Sequence, residues 1–300
     1  MRRRQGGVAL VLVLWVITLL SVIAGNFAFS MRSEAQIARN LISAAQARAL
    51  ADAGVQKAWL ELLKPPTDLQ RWQANGVAHE FRMGDAILRV TIQDEAGKID
   101  LNMAPDALLK GLFKSVGLSD DANAALVDAV VDWRDADKLK RLHGAEEDDY
   151  RAAGKSYVPS NRPFETVDEL QRVLGMSPDL YRKLAPALTV YSRLAGVTTA
   201  VAPRAVLLAI PGANPGMVEQ YLVQRQSLLD AGQKALPLAG VGSFEVSSTG
   251  LSAYAARCEV KMPDGTVFVR QAFARLAQDP KRPMTVLAWG EGESEILTEN

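Results

Sequence analysis

The sequence predicts an α+β protein in which one long N-terminal helix, partly membrane-spanning, packs on an antiparallel sheet that a large all-α insert interrupts. Three observations support this prediction. The chain starts with an apolar run that continues as a helical pattern to residue 64. Stretches of alternating apolar residues near residue 85 and near the C-terminus predict strands. Between these stretches lies a long segment of helical periodicity with glycine-centred turns.

The apolar run at residues 8–29 has the length and composition of a membrane-spanning helix. Three arginines precede it, and no charged residue occurs between Gln5 and Met31. As a helix, the run would span roughly 33 Å, which matches the ~30 Å hydrocarbon thickness of a bilayer. The arginines are expected to stay in the cytoplasm, which places the rest of the chain on the other side of the membrane.

Three interpretations of this segment remain open: a cleaved secretory signal, a plain signal anchor, and a prepilin leader. Gly6 and Gly7 stand directly before the apolar run and resemble the end of a type IV prepilin leader, which is cut after the glycine. Cleavage between Gly7 and Val8 would retain the helix in the mature chain. Most prepilins carry a glutamate at the fifth mature position, which is Leu12 here.

Residues 31–64 continue as an amphipathic helix that ends at Pro65 and Pro66. Apolar residues recur near helical spacing, which indicates that this stem packs on the chain's own globular part. They are Ile37, Leu41, Ala44, Ala45, Val55, Ala58, Trp59 and Leu62.

The strand-like segments predict one sheet built from two distant parts of the chain. Residues 77–95 alternate around Gly84 and Asp85, which predicts a hairpin. Strands are also predicted at residues 243–246, 256–262, 266–276 and 285–289, with a turn at residues 263–265. The predicted domains are a leader at 1–7, a transmembrane helix at 8–29, a stem and first β part at 30–99, a helical insert at 100–230 and a second β part at 231–300.

The helical insert contains a weak internal repeat. A leucine stands five residues before each of Gly117, Gly175 and Gly212, and a turn and a helical run follow each glycine. This pattern resembles a helix-hairpin-helix unit used three times, a unit that often binds DNA phosphates. Asp120, Asp121 and Asp179 stand at these hairpins, and their carboxylates would repel phosphate.

Composition argues against two functional classes. The chain carries 34 basic and 34 acidic residues, whereas a nucleic-acid surface usually produces a basic excess. No catalytic motif emerges: His79 and His143 lack metal-ligand spacing, and there is no nucleophile elbow or phosphate loop. Cys258 is the only cysteine, so an intrachain disulfide is impossible. We expect a protein that is not an enzyme.

An acidic stretch follows the first helical unit, with seven carboxylates between residues 132 and 149. Calcium prefers six to eight oxygen ligands and tolerates irregular geometry, so this stretch could hold a calcium ion. The spacing is not that of an EF-hand. A solvated charge run, partly offset by Arg134, Lys138, Lys140 and Arg141, is the alternative that the pattern leaves open.

Together these features resemble the type II secretion system minor pseudopilin K family, also called the general secretion pathway protein K family. The resemblance covers nearly the whole chain, and it rests on the order and spacing of short motifs. They are the Gly7–Val8 junction, the missing glutamate at Leu12, and residues 94–102, 132–135, 144–146, 164–170, 175–176 and 286–289.

The resemblance implies an inner-membrane protein with a periplasmic, pilin-like domain interrupted by a large helical domain. It implies cleavage and N-methylation by the prepilin peptidase and a position at the pseudopilus tip. There the chain would assemble with other minor pseudopilins, above the major pseudopilin, to support protein secretion, with contact to the secreted substrate left open. It also implies calcium in the helical domain. The candidate ligands are Asp132, Asp135, Asp137, Glu146, Asp148 and Asp149. The alternative is a single-pass anchored periplasmic protein whose helical domain binds a ligand or DNA.

Overall fold

The computed structural model describes residues 8–65, 67–68, 70–247, 252–277, 279 and 281–294. The first helix, α1, runs without interruption over Val8–Leu63, which is 56 residues and ~84 Å at the standard rise. The predicted continuity of the membrane helix and the stem is therefore confirmed. Gly7 lies outside the described residues, and Val8 is the first residue of α1.

A five-stranded antiparallel sheet packs on the upper half of α1. Its strands are β1 (Asn75–Met83), β2 (Ala86–Asp94), β5 (Ala253–Lys261), β6 (Val267–Leu276) and β7 (Met284–Glu291). They follow one another in this spatial order, so β2 and β5 are neighbours although they are distant in sequence. The predicted hairpin, the predicted turn at residues 263–265 and the joining of two β parts into one sheet are confirmed.

The face of α1 that contacts the sheet is built largely from small residues. Ala47, Ala51, Val55 and Ala58 are completely buried against the strands. At Gly54, a Cβ atom would lie 2.2 Å from the Sγ of Cys258, so only glycine allows this approach of helix and strand. Of the predicted apolar face, the part from Val55 upward is buried. Ile37, Leu41, Ala44 and Ala45, nearer the membrane-spanning end, are exposed.

The helical unit lies between β2 and β5 in the chain. Its helices are α2 (Asp106–Ser115), α3 (Asp120–Arg134), α4 (Glu147–Ala152), α5 (Pro178–Leu184), α6 (Arg204–Ala209) and α7 (Pro215–Asp230), with a two-stranded parallel pair of β3 (Ile99–Asp100) and β4 (Leu188–Thr189). Its core is separate from that of the stem and sheet, and its largest fully buried side chains include Tyr150 and Phe113. The packing extends to Phe244.

The three repeated glycine turns adopt one conformation. Gly117, Gly175 and Gly212 have φ angles of +91°, +88° and +89°, which lie in the left-handed region that favours glycine. Each turn leads into an N-cap residue (Ser119, Ser177 and Asn214 respectively) whose side chain accepts a hydrogen bond from a backbone N–H in the first turn of the following helix. The repeat seen in the sequence is therefore a repeat in structure.

The helical unit is joined to the sheet through the end of β2. The carboxylate of Asp94 accepts a hydrogen bond from the Ala96 N–H at 2.9 Å and caps a 3-10 turn at Glu95–Gly97. Glu95 is completely buried and lies 2.9 Å from the Nζ of Lys98. A Cβ atom at Gly97 would lie 2.6 Å from the Val201 carbonyl oxygen. The junction is thus closely packed.

One predicted strand is wrong. Residues 243–246 do not join the large sheet; a 3-10 turn forms at Gly242–Phe244, and Glu245 makes one parallel bridge to Val197 of the helical unit. The carbonyl of Phe244 accepts a hydrogen bond from the Val197 N–H at 2.8 Å. The apolar side chain of Phe244 in this segment packs against the core of the helical unit. Sequence pattern alone does not reveal which core a short apolar segment joins.

Candidate functional site

The acidic loop after α3 is organised by Asp132, which stands on the last turn of that helix and is completely buried. Its Oδ2 accepts a hydrogen bond from the Ala145 N–H at 2.9 Å, and both carboxylate oxygens lie 3.3 Å from the Arg141 N. A Cβ atom at Gly144 would lie 1.9 Å from Oδ2, so glycine is required for the loop to close over the carboxylate. Asp132 therefore holds both ends of the loop 141–145.

Other carboxylates fix the remainder of this loop. The guanidinium of Arg141 lies 2.7 Å from the Oδ2 of Asp106 and 3.3 Å from the Oδ1 of Asp128. The His143 N–H donates to the Oδ2 of Asp128 at 3.1 Å. The loop is thus held by three acidic side chains from two helices, and Asp106 and Asp128 were not among the candidates predicted from sequence.

Beneath the loop lies a group of aromatic side chains. Trp133 stacks on Phe164 with 6.2 Å between ring centroids and lies 5.9 Å from the ring of Tyr150. The Tyr150 hydroxyl accepts a hydrogen bond from the Leu174 N–H at 3.1 Å. These rings pack against one another directly next to the acidic loop.

Three side-chain oxygens near the loop are buried without a hydrogen-bond partner: Oδ1 of Asp135, Oε1 of Glu146 and Oδ1 of Asn161. Glu146 and Asn161 line one cavity of about 260 Å³ next to the loop. Asp135 and Glu146 have no lysine or arginine within ion-pair distance among the described residues. Buried oxygens of this kind are costly unless something pairs with them.

The pKa values of the carboxyl groups around the loop are also those expected of a site that favours a cation. Burial raises the pKa of Asp132, of Asp135 and of Glu146, and repulsion from neighbouring carboxylates raises each of them further. For Glu146 the repelling groups are Asp132, Asp135 and Asp137. A bound cation would lower all three pKa values by favouring the charged forms.

The other predicted ligands are placed differently. Asp149 pairs with Lys140 at 2.6 Å and accepts the Glu146 N–H at 2.9 Å as part of a capping box, and these contacts lower its pKa. The side chain of Asp148 is fully exposed and lies 3.9 Å from Arg151. The exposed Asp137 accepts the Leu139 N–H at 2.8 Å. The structure thus brings Asp132, Asp135 and Glu146 into one electrostatic group, with Asp137 at its edge.

Within the described parts of the chain, no three acidic, histidine or cysteine side chains lie close enough to hold a metal ion. The unpaired oxygens of Asp135, Glu146 and Asn161 nevertheless have the chemistry of a hard-cation site, with two carboxylates and one amide. Asn161 was not among the predicted ligands. Its φ of +48°, uncommon for a residue other than glycine, marks it in the structure but leaves no signal in the sequence.

The lower part of α1 is the second functional element. An 18-residue window of this helix has a mean hydropathy of 2.4, and none of that window is buried, so by length and composition α1 can cross a membrane. Leu12, Trp15 and Phe27 are all more than 60% exposed. These features fit a single-pass membrane anchor.

This chain is similar to known proteins over a region that includes the acidic loop, and over most of its length. A family model described as type II secretion system protein K matches residues 90–193, which include the acidic loop. Type II secretion system protein K of Klebsiella pneumoniae is 30% identical over 254 residues, covering 77% of this chain and 76% of that protein. The protein of the same description from Pseudomonas aeruginosa is 28% identical over 249 residues, covering 75% of this chain and 74% of the other.

The fold is shared with a solved structure. A chain in the crystal structure of the GspK–GspI–GspJ complex from the type 2 secretion system of enterotoxigenic Escherichia coli has a TM-score of 0.56 to this chain and 16% sequence identity. The match covers 88% of this chain and 99% of that chain. On the evidence of sequence over three quarters of its length, and of the shared fold, the chain belongs to the type II secretion system protein K family, whose members are minor pseudopilins.

Proposed function

We propose that the chain caps the tip of the type II secretion pseudopilus, initiates its assembly and so supports protein export across the outer membrane. The observation that carries this proposal is one continuous helix with an exposed apolar lower half, joined to a sheet that holds a bulky helical unit in the β2–β5 connection. The lower helix supplies an apolar surface for packing against other subunits within the membrane. The helical unit adds bulk that would block further subunits from stacking above it.

The proposed place at the tip also accounts for Leu12. A carboxylate in the hydrocarbon region is costly unless a partner neutralises it. A first subunit has no subunit above it whose terminal amine needs a negative charge. Leucine at the fifth position after the Gly7–Val8 junction is therefore suited to a subunit at the end of the fibre.

In this proposal the prepilin peptidase cleaves between Gly7 and Val8 and methylates the new N-terminus. The helix then remains in the inner membrane with the globular part in the periplasm, and packs with the helices of other minor pseudopilins. The related crystal structure, which is a complex of three Gsp proteins, supports partners of this kind. The major pseudopilin would be added below, and secreted proteins would be pushed outward.

We also propose a structural calcium ion at the acidic loop. Asp135, Glu146 and Asn161 would hold it, while Asp132 keeps the loop in position through its backbone hydrogen bonds. When bound, the ion would supply positive charge between carboxylates that otherwise repel one another. The role is structural: the loop stays ordered, and no reaction is involved.

The first test is the mature N-terminus. Mass spectrometry of the membrane-bound chain should show Val8 as a methylated first residue in cells with active prepilin peptidase, and Met1 in cells that lack it. An intact Met1 in the presence of the active peptidase would rule out processing. Co-purification with the other minor prepilins of the same system would test the tip complex directly.

The second test concerns calcium. Thermal unfolding of the full chain in detergent should show a higher Tm with calcium and a lower Tm with EDTA. Glu146→Gln should abolish this difference, while Glu147→Gln, which changes the neighbouring residue, should retain it. Equal Tm values with calcium and EDTA would contradict the calcium site and support the alternative, in which the acidic stretch is a solvated charge run. A gel-shift assay with duplex DNA tests the alternative of a DNA-binding domain, which tight, salt-sensitive binding would support.

A further inference from the structure

The loop between α3 and α4 presents two leucines to solvent. Leu142 is 85% exposed and Leu139 is 77% exposed, which makes them the two most exposed large apolar side chains that the structure describes. Phe29, at 76%, is the most exposed of the apolar side chains described in the membrane-spanning run of α1. A leucine left in water forgoes the free energy that its burial would provide. Neither the membrane anchor nor the proposed calcium ion uses these two side chains.

Hydrogen bonds and ion pairs hold the backbone of this loop so that the two leucines point outward. The N–H of Leu139 donates to the Oδ1 of Asp137 at 2.8 Å. Between the leucines, the Nζ of Lys140 lies 2.6 Å from the Oδ1 of Asp149. The guanidinium of Arg141 pairs with one carboxylate of α2 and one of α3. The leucines therefore cannot turn inward unless these contacts break.

We propose that residues 138–143 form a membrane-surface contact, in which Leu139 and Leu142 insert among the acyl chains of a phospholipid bilayer. The segment reads Lys-Leu-Lys-Arg-Leu-His and contains no acidic residue. Segments that bind at a bilayer surface combine apolar side chains with basic ones, whose charged ends stay at the level of the lipid phosphates. Lys138 is exposed and has no carboxylate within ion-pair distance among the described residues, so its ammonium group is available to a phosphate.

A bilayer suits these two leucines better than a pocket on another protein. A standard protein–protein interface buries about 800 Å² on each partner. The exposed neighbours of the leucines in the chain are charged or polar, namely Asp137, Lys138 and His143, so the leucines form no continuous apolar patch of that size. A bilayer requires no such patch, because each protruding side chain enters the acyl region by itself.

The bilayer is not the one that α1 spans. Gly54, which contacts the sheet, lies roughly 38 Å above Phe29 along the helix. From there β2 continues away from the anchor, because Ala86 at its start lines a cavity with Ile42 whereas Val90 lies beside Gly54. The helical unit begins ~13 Å further on, and a unit of about 150 residues is roughly 40 Å across. The loop therefore does not reach back to the first membrane. Its bilayer is a second one, and this assignment to the outer membrane rests on the proposed function.

The test uses the full chain in proteoliposomes, captured on beads through a C-terminal tag that selects vesicles with the helical unit outside. Fluorescent, protein-free vesicles of phosphatidylethanolamine and phosphatidylglycerol are added in a buffer with calcium, and the amount that the beads retain is measured. We expect the double variant Leu139→Ser, Leu142→Ser to reduce this retention by about tenfold, because it removes the inserted apolar area. Val223→Ser is the matched control: it changes a valine of α7 that is 73% exposed, and retention should match that of the unaltered chain.

A fluorescent label measures the insertion itself. The single native cysteine, Cys258, is buried, so Leu142→Cys provides an accessible thiol for a nitrobenzoxadiazole label. With the full chain in nanodiscs, the same vesicles should brighten this label and shift its emission to the blue, whereas a label at Val223→Cys should not respond.

Equal vesicle retention by the double variant and the unaltered chain, or an unchanged emission at Leu142→Cys, would overturn the membrane contact. An emission change that appears only when the other minor prepilins are added, and not with vesicles, would also overturn it and assign the loop to a protein partner. Failure of the proposed function is seen separately, as a loss of co-purification with those prepilins, which does not depend on this loop.

Discussion

Two carboxylates of the stem-and-sheet unit, Glu61 and Asp52, face cations of the same unit, whereas Asp135 and Glu146 of the helical unit face none that the structure describes. Glu61 lies 2.8 Å from the Nζ of Lys64, and Asp52 lies 2.6 Å from the Nε of Arg270. Asp135 and Glu146 each have a buried oxygen without a hydrogen-bond partner. The cation that we propose between Asp135 and Glu146 would supply the positive charge that Lys64 and Arg270 supply in the stem-and-sheet unit.

The hydrophobic cores of the two units also differ in the size of the side chains that pack in them. The contact between α1 and the sheet relies on close fit between small side chains, with Gly54 against Cys258 as the tightest point. The core of the helical unit relies on large rings such as Trp133, Tyr150 and Phe164. Added volume should therefore damage the first unit most, and lost charge or lost hydrogen bonds the second.

The largest effect is expected from Gly54→Val. Its Cβ would collide with the Sγ of Cys258, so we expect a loss of about 3 kcal/mol in the free energy of unfolding. Guanidinium unfolding of the full chain in detergent, followed by circular dichroism, measures this loss. In a Cys258→Ala background, part of the stability should return. An equal loss in both backgrounds would show that this contact does not limit the approach of helix and sheet.

A pH-dependent effect is expected at the junction between the two units. Burial raises the pKa of Asp94 to about 6, above its ordinary value of 3.8. Between these values the folded chain binds more protons than the unfolded chain, so stability falls as pH rises. The difference of about two units corresponds to at most about 3 kcal/mol. Unfolding measured from pH 4 to pH 7 should show a smaller fall in Asp94→Asn, and parallel curves would contradict the assignment.

A smaller loss is expected from Asp132→Ala in the helical unit. The variant leaves the buried N–H of Ala145 without its acceptor and releases the loop at Arg141, which should cost about 2 kcal/mol. Asp148→Ala, at a fully exposed side chain in the first turn of α4 just after this loop, should change stability by less than about 0.5 kcal/mol. Urea unfolding of the two variants compares them directly, and similar losses would mean that Asp132 does not organise the loop.

The smallest effect should come from the ion pair between Asp52 and Arg270. Asp52 is 40% exposed, so solvent screens the pair, and we expect a coupling energy of about 1 kcal/mol or less. A double-mutant cycle with Asp52→Ala and Arg270→Ala separates this coupling from the packing of Arg270 on the rings of Phe268 and Trp289. A coupling well above this value would place the pair among the main determinants of stability.

Sequence predicted the elements whose signals are local. The length of α1, the hairpin at Gly84, the turn at residues 263–265 and the three glycine turns each follow from periodicity or from turn chemistry. Residues 243–246 were misassigned because a short apolar run does not reveal which core it joins. Tertiary packing, which no local signal encodes, decided that question.

The candidate site could also be predicted only in part from the sequence. The acidic composition of residues 132–149 marked the region, but not the role of each residue. Asp149 is occupied by Lys140 and by the cap of α4, and Asn161 reaches the site from a later loop. Such assignments depend on contacts between residues that are separated in sequence, by nine residues for Lys140 and Asp149 and by 15 for Glu146 and Asn161.

The position of the helical unit between two paired strands has a consequence for the order of folding. Asp94 of β2 pairs with Tyr254 of β5, and more than half of the chain lies between them. The central strand pair can therefore form only after the whole helical unit has been synthesised. Until then, the inner face of α1 has only the first hairpin to cover it. The stem-and-sheet unit, whose synthesis starts first, is thus completed last, and its exposed stem is a natural target for chaperones until then.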